Sequence, residues 1–136
     1  MKKAFLILIL ISSTVIAKPY TQEDRIADMQ KMAKAMQNIQ NGFFYNNFDM
    51  IKLGGVEVAE TIMHVEPPLS EKEEKDVMTR FMNNKVKMTH KIQNKIKRRM
   101  QSMIERFAQG DKVQALQNFM KVTQDCMACH KKLRKW

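Results

Sequence analysis

Residues 110–134 read GDKVQALQNFMKVTQDCMACHKKLR and combine a helix start, a helical repeat and a cluster of reactive side chains. Asp111 followed by Gln114 predicts a capped helix N-terminus just after Gly110. From there, the positions of one helical face recur at alternating spacings of three and four residues. They are Val113, Leu116, Met120, Thr123, Met127 and His130. The stretch therefore predicts an amphipathic last helix that carries His130 on its apolar side.

The cluster near the end of this helix contains both cysteines of the chain, Cys126 and Cys129, with His130 directly after the second. On a helix these three side chains stand at positions i, i+3 and i+4, so they lie on one face. Three side chains of this kind make a candidate binding site. The open interpretations are a zinc site, a redox-active dithiol, a structural disulfide and a haem attachment site.

The first three interpretations each leave part of the pattern unexplained. Structural zinc has four ligands, usually in two such pairs, and the chain has no second pair. A thioredoxin-like dithiol accompanies a βαβ pattern, which the sequence lacks. A disulfide is chemically reasonable outside the cytoplasm, but it gives the adjacent histidine no role.

The spacing C-x-x-C-H is the pattern of covalent c-type haem attachment. Two thiols add across the haem vinyl groups as thioethers, and the neighbouring imidazole binds the iron as its proximal ligand. This interpretation uses all three side chains. We therefore expect one haem c, attached through Cys126 and Cys129, with His130 on the iron.

The N-terminal residues indicate the compartment. Residues 1–17 read MKKAFLILILISSTVIA, with two lysines, an unbroken apolar run over residues 5–11 and small residues at the end. This is the pattern of a secretory signal peptide, and the apolar run is too short to span a bilayer. We expect residues 1–17 to be cleaved, leaving residues 18–136 as an exported, periplasmic protein with no stable membrane anchor.

The charge of the mature chain limits its partners. The full chain has 24 Lys and Arg against 14 Asp and Glu, so removal of the two signal-peptide lysines leaves 22 against 14, a net charge of +8. A strongly basic balance often indicates nucleic acid, but export argues against that partner. We expect an acidic protein partner, or an anionic cofactor that offsets part of the charge, and no nucleic acid.

The first helix is predicted to begin after Thr21, which forms a capping pair with Asp24. Asn41-Gly42 is a good C-terminal stop. A three- and four-residue spacing between these points predicts one buried face. Its members are Ile26, Met29, Ala33 and Met36, widened by Met32 and Ile39.

The middle of the chain continues the helical pattern. An apolar stripe marks the second helix, which is expected to end at the prolines 67–68. Its members are Phe48, Ile51, Gly55, Val58, Ile62 and Val65. The glycines at 54–55 permit close approach of a neighbour or of a flat group. A short helix near 70–82, a bend at 83–84 and a main third helix near 85–108 are expected to follow.

Four main helices with mostly short connections predict an all-α fold, an antiparallel four-helix bundle. The bundle is expected to form a single domain over residues 18–136, with haem attached covalently near the C-terminus. Many of the 13 methionines fall on the helical stripes. We interpret them as flexible core residues rather than as a metal cluster.

The sequence resembles the class II cytochromes c, a family that comprises cytochrome c′ and the low-spin cytochromes c-556. The resemblance is closest over residues 110–134, which have the family's Gly-Asp before the last helix, an aromatic residue, the C-x-x-C-H pattern and an arginine four residues after His130. The first helix adds RIADM at residues 25–29. Leu133 stands where the family commonly has tyrosine, and HVEPPLSEKEEKD at 64–76 replaces the family's usual long loop between the second and third helices.

The resemblance implies roles for individual residues. Arg25 matches an arginine that often lies near a haem propionate, and Met29 matches the residue that the family presents over the distal face of the haem. Arg134 matches the arginine after the haem-binding histidine. The resemblance also implies a homodimer that forms through the first two helices.

Two further histidines and a run of basic residues have ordinary explanations. His64 and His90 could each bind iron from the distal side, but a lone helical histidine is more often solvated or hydrogen-bonded. The basic run on the third helix is interpreted as a mostly solvated face that also suits an anionic redox partner. It consists of Lys85, Lys87, Lys91, Lys95, Lys97, Arg98 and Arg99.

Two functions are compatible with these patterns. The first is an electron-transfer cytochrome with six-coordinate haem, in which Met29 is the second axial ligand. The second is a five-coordinate protein that binds nitric oxide or carbon monoxide. The sequence shows no clear distal histidine and arginine pair for peroxide chemistry, so we do not expect an enzyme and assign no catalytic residue.

Overall fold

Four α-helices make up almost all of the structure, a computed structural model that describes residues 19–67, 76, 78 and 84–133. They are α1 (Gln22–Phe44), α2 (Phe48–His64), α3 (Asn84–Ala108) and α4 (Lys112–Leu133). No strand occurs within these ranges, which confirms the all-helical prediction. The predicted signal peptide, the short helix near 70–82 apart from Asp76 and Met78, and Arg134 lie outside the described residues.

Local capping defines the helix starts. At the start of α1, the Thr21 hydroxyl accepts from the Asp24 backbone N–H at 3.1 Å, while the Asp24 carboxylate accepts from the Thr21 backbone N–H at 2.8 Å. The Asp111 carboxylate accepts from the Gln114 backbone N–H at 3.1 Å before α4. Both predicted caps are confirmed, and each satisfies backbone donors that have no partner within the helix.

The predicted end of α1 at Asn41-Gly42 is wrong, because the helix continues to Phe44. Gly42 is buried inside α1, where an added Cβ would lie 2.7 Å from the Ile51 side chain. The glycine therefore lets α2 approach α1. The left-handed conformation that ends a helix is adopted later, by Asn46 with φ of 53°.

Hydrogen bonds between helices establish the topology. The Asn38 amide of α1 donates to the Met50 carbonyl of α2 at 3.3 Å. The Gln93 amide of α3 donates to the carbonyls at the C-terminal end of α2, at 2.9 Å to Ile62 and 2.6 Å to Val65. Consecutive helices therefore run antiparallel, with α2 between α1 and α3, and α3 between α2 and α4. This is the up-down arrangement of a four-helix bundle.

The core lies along α2 and α3, the two inner helices. Ile51, Ile96, Met100 and Met103 are fully or almost fully buried. At one end of the bundle the Phe43 ring meets the Phe107 ring edge-on, with centroids 5.5 Å apart. These contacts hold the helices without any strand or disulfide in the described part of the chain.

The predicted buried face of α1 is confirmed only in part. Met32 and Ile39 are buried as predicted, together with Ala35, whereas Ile26 and Ala33 are exposed. On α4 the buried face is displaced by about one residue from the predicted one, because Ala115 and Val122 are buried. The predicted α4 stripe is instead largely exposed, in Val113, Leu116, Met120, Thr123 and Met127. Each outer helix packs on its inner neighbour with one face and presents a second apolar face elsewhere.

No helix in the described part of the chain is both long enough and apolar enough to cross a membrane.

Candidate cofactor site

An apolar groove separates the two outer helices, α1 and α4. Its volume is about 1240 Å³, above the roughly 300–1,000 Å³ that is usual for small-molecule and cofactor pockets. Val58 of α2 also lines it. The apolar residues from α1 are Met29, Met32, Ala33, Met36, Phe43 and Phe44, and those from α4 are Val113, Leu116, Phe119, Met120, Cys126 and Met127.

The exposed apolar faces of α1 and α4 meet at this groove. Phe44 is 77% exposed and Val113 is 68% exposed, and Leu116, Met120 and Met127 are also exposed. Burying each such side chain would contribute about 1.5–3 kcal/mol. Large exposed apolar surfaces on a small domain mark binding sites. Covering the groove would therefore bury a large apolar surface of the described chain.

The side chains at one end of the groove come from the C-x-x-C-H pattern. Cys126 and His130 both line the groove and are half-buried. Cys129 is also half-buried but does not line it. At about 100° per residue, Cys129 lies about 60° around the helix axis from Cys126, on the side away from His130. The structure therefore places one thiol and the imidazole in the groove, with the second thiol on the side toward α3.

Both thiols are free in the structure. Burial, with smaller contributions from the neighbouring Cys129 thiol and the Asp125 carboxylate, raises the pKa of Cys126 to about 11. Burial also raises the pKa of Cys129. Both groups are therefore protonated near neutral pH in the protein alone. Among the described residues, no group of three or more His, Cys, Asp or Glu side chains could hold a metal ion.

Met29 lies toward the same end of the groove as His130. The rings of Phe43 and Phe119 are 5.8 Å apart, which aligns the antiparallel α1 and α4 at that point. At 1.5 Å per residue, Met29 lies about 21 Å from Phe43 along α1, and His130 lies about 17 Å from Phe119 along α4. Both side chains line the groove. The structure thus brings the predicted proximal and distal residues to one end of one groove.

The other predicted contacts are not brought to the groove. Arg25 donates from Nε to the Glu66 carbonyl at 3.2 Å and lies 5.7 Å from the centroid of the Tyr20 ring. It does not line the groove, so its role beside a propionate stays a prediction. His64 and His90 are exposed and do not line the groove either.

Asp125 is a feature of the site that sequence reasoning missed. It is 7% exposed, and its carboxylate pairs with Lys95 at 2.9 Å and with Arg99 of α3. The basic run is therefore mostly exposed, as predicted, but Lys95 and Arg99 also pair with a buried carboxylate. The sequence feature that could have pointed to this pairing is that Asp125 is the single acidic residue of α4.

The chemistry of the groove lining fits haem. Lys112 and His130 are its basic members, no carboxylate lines it, and the remaining polar members are Gln37, Gln40, Thr123 and Gln124. An apolar lining suits a flat macrocycle. The Cys126 thiol and the His130 imidazole in the lining supply two of the groups that c-type attachment requires, and the third, the Cys129 thiol, lies beside the groove.

Comparisons with protein-family models, with curated proteins and with solved structures found no match to this chain.

Proposed function

We propose that this chain is an exported c-type haem protein that carries electrons. The observation that carries the proposal is the position of the C-x-x-C-H side chains: Cys126 and His130 open into an apolar groove whose exposed walls require a large apolar group to cover them. The resemblance of residues 110–134 to the class II cytochromes c supports the same proposal.

Each residue has a distinct task in this proposal. Cys126 and Cys129 hold the haem as thioethers, and His130 binds the iron on the proximal side. Met29, from the opposite wall, would supply the second ligand to the iron. When bound, haem supplies one-electron chemistry between ferric and ferrous iron. The apolar walls exclude water from the iron, and no residue of the chain acts as an acid, base or nucleophile in a catalytic reaction.

Export and partner choice complete the proposal. The signal-peptide pattern at residues 1–17 directs the chain to the periplasm, a compartment where c-type haem proteins operate. The redox partner is a protein with an acidic surface, since α3 exposes Lys91, Lys97 and Arg98.

A haem stain on a denaturing gel tests the proposal. Protein expressed in cells that mature c-type cytochromes should stain at the mature mass, because thioether bonds survive denaturation. Cys126→Ala combined with Cys129→Ala should abolish the stain while leaving an exported, helical chain. Cys126 variants alone should keep part of the stain, through Cys129. A colourless wild-type band would overturn the proposal.

A further inference from the structure

A charged cluster ties α4 to α3 immediately before the haem-attachment pattern. The buried Asp125 carboxylate pairs with Lys95 Nζ at 2.9 Å and with Arg99 Nη1. The same Arg99 nitrogen donates to the Lys121 carbonyl at 2.9 Å, one turn earlier on α4. Arg99 therefore contacts α4 at two points separated by one turn, and both lie on the side that faces α3.

Apolar packing defines the rotation of α4 about its own axis only in part. The fully buried apolar residues of α4 are Ala115 and Val122, both small, and the half-buried Phe119 and Cys126 pack against the core. On the side of α1 this helix faces the groove rather than a closely packed helix. Small buried side chains interlock weakly, so polar contacts with α3 add the direction. The Asn118 amide donates to the Ser102 hydroxyl at 3.2 Å near the start of α4, and the charge-assisted Asp125 contacts lie next to the attachment residues.

The rotation of α4 determines where the attachment residues face. Cys126 follows Asp125 by about 100° around the helix, and His130 by about 140°. With Asp125 directed at α3, Cys126 and His130 fall on the groove. A turn of α4 by about 50° in one direction would move Cys126 under α3. The same turn in the other direction would move His130 out of line with the α1 wall.

We propose that Asp125 is a positioning residue: its contacts with Lys95 and Arg99 set the rotation of α4 that presents Cys126 and His130 to the groove. This inference rests on the proposed haem function for its biological purpose. The rotation itself is a property of the polypeptide and has a readout without haem.

Three variants test the inference. Asp125→Asn keeps the size of the side chain and removes its charge. A triple variant, Asp125→Leu with Lys95→Met and Arg99→Met, removes the whole cluster and substitutes apolar groups, which avoids leaving an unpaired buried charge. Glu105→Gln is the matched control, since it makes the same charge change at an exposed site of α3. Circular dichroism establishes that each chain is folded.

Two measurements separate positioning from stability. The first is the haem-to-polypeptide ratio of exported protein after a fixed maturation time. The second is the rate of Cys126 alkylation in haem-free protein that also carries Cys129→Ser, followed across pH so that thiol accessibility is separated from thiol ionisation. Both Asp125 variants should lower the haem ratio on the order of tenfold, the scale of effect expected when reacting groups are misplaced. Both should change Cys126 accessibility several-fold, with a fall if the helix turns Cys126 toward α3 and a rise if it turns Cys126 away from α3, and the control should match wild type.

The outcomes distinguish the two proposals. If the triple variant folds, incorporates haem at the wild-type ratio and protects Cys126 as wild type does, the positioning role is wrong. If wild-type protein takes up no haem, the proposed function fails. The alkylation rates then decide the rotation of α4 on their own: an accessibility that differs from wild type in the same direction in both Asp125 variants supports it, and unchanged accessibility overturns it.

Discussion

Three residues at the end of α4 define the chemistry that this chain can perform. Cys126 and His130 line one groove, and Cys129 stands on the side toward α3. Because burial raises the pKa of both thiols, they remain protonated near neutral pH. The thiolate is both the nucleophile and the metal ligand, so reaction or ligation at either cysteine requires loss of this proton.

Met29 is the residue on which the choice between electron transfer and gas binding depends. It lines the groove at the end that holds His130. A thioether is a good ligand for ferrous iron and raises its reduction potential. Met29→Leu should therefore convert the reduced protein from a low-spin to a high-spin optical or resonance Raman spectrum, with fast carbon monoxide binding.

Met36→Leu is the matched control for this prediction. Met36 lies on the same wall of the groove, two turns further along α1, and is half-buried like Met29. Its substitution should leave the low-spin spectrum unchanged. A wild-type protein that is already high-spin and takes up nitric oxide or carbon monoxide directly would instead establish the gas-binding function.

At the scale of the helices, two adjacent glycines let α2 approach both of its neighbours. A Cβ on Gly54 would lie 2.7 Å from the Ala35 backbone carbonyl oxygen of α1 and 2.7 Å from Ile39. A Cβ on Gly55 would meet side-chain ends of α3, at 2.9 Å to Ile104 Cδ1 and 3.0 Å to Met103 Cε. The sequence left open whether this pair admits a flat group, and the structure shows that both glycines admit helices.

This difference predicts unequal effects of two alanine substitutions. Gly54→Ala should lower the free energy of unfolding by about 2 kcal/mol, because a backbone carbonyl in α1 cannot move without separating the helices. Gly55→Ala should stay within about 0.5 kcal/mol of wild type, since flexible side-chain ends can shift and alanine improves helix propensity. Urea unfolding measures both, with a midpoint shift of about 1 M expected for Gly54→Ala. Equal losses in the two variants would contradict the close contact between α1 and α2.

At the scale of the whole molecule, the bundle is incomplete between its outer helices. The inner helices α2 and α3 carry most of the core, while exposed Phe44, Leu116 and Met120 line the groove. Among the described residues, helix contacts therefore close three of the four interfaces of a bundle. In the proposed function, haem supplies the apolar contact at the fourth.

The haem-loaded protein should be more stable than the haem-free chain. Covering the groove should raise the free energy of unfolding by at least about 3 kcal/mol, the contribution of one or two large buried side chains. Urea unfolding should show a higher midpoint and a steeper slope for the loaded form, because more surface is exposed on unfolding. The Cys126→Ala, Cys129→Ala chain is the control and should unfold like unloaded wild type. Identical curves for loaded and unloaded protein would mean that haem is not part of the core.

The sequence by itself determined the helices and the candidate site. The third helix was expected near 85–108 and spans Asn84–Ala108, and the Thr21 and Asp111 caps are present as predicted. Capping and helical periodicity depend on residues within a few positions of one another, so they can be read locally. The C-x-x-C-H pattern is also local. For the same reason it identified Cys126, Cys129 and His130 as the candidate site.

Only the tertiary structure decided which faces are covered and how α4 is oriented. A repeat of three and four residues indicates that a helical face is apolar, but it does not say which neighbour covers it. On α1 the neighbour α2 covers Ala35 and Ile39, which leaves Met29 and Met36 to the groove. The pairing of Asp125 with Lys95 joins residues 30 positions apart. Contacts at such separation depend on how the helices are arranged in space, which no local pattern encodes.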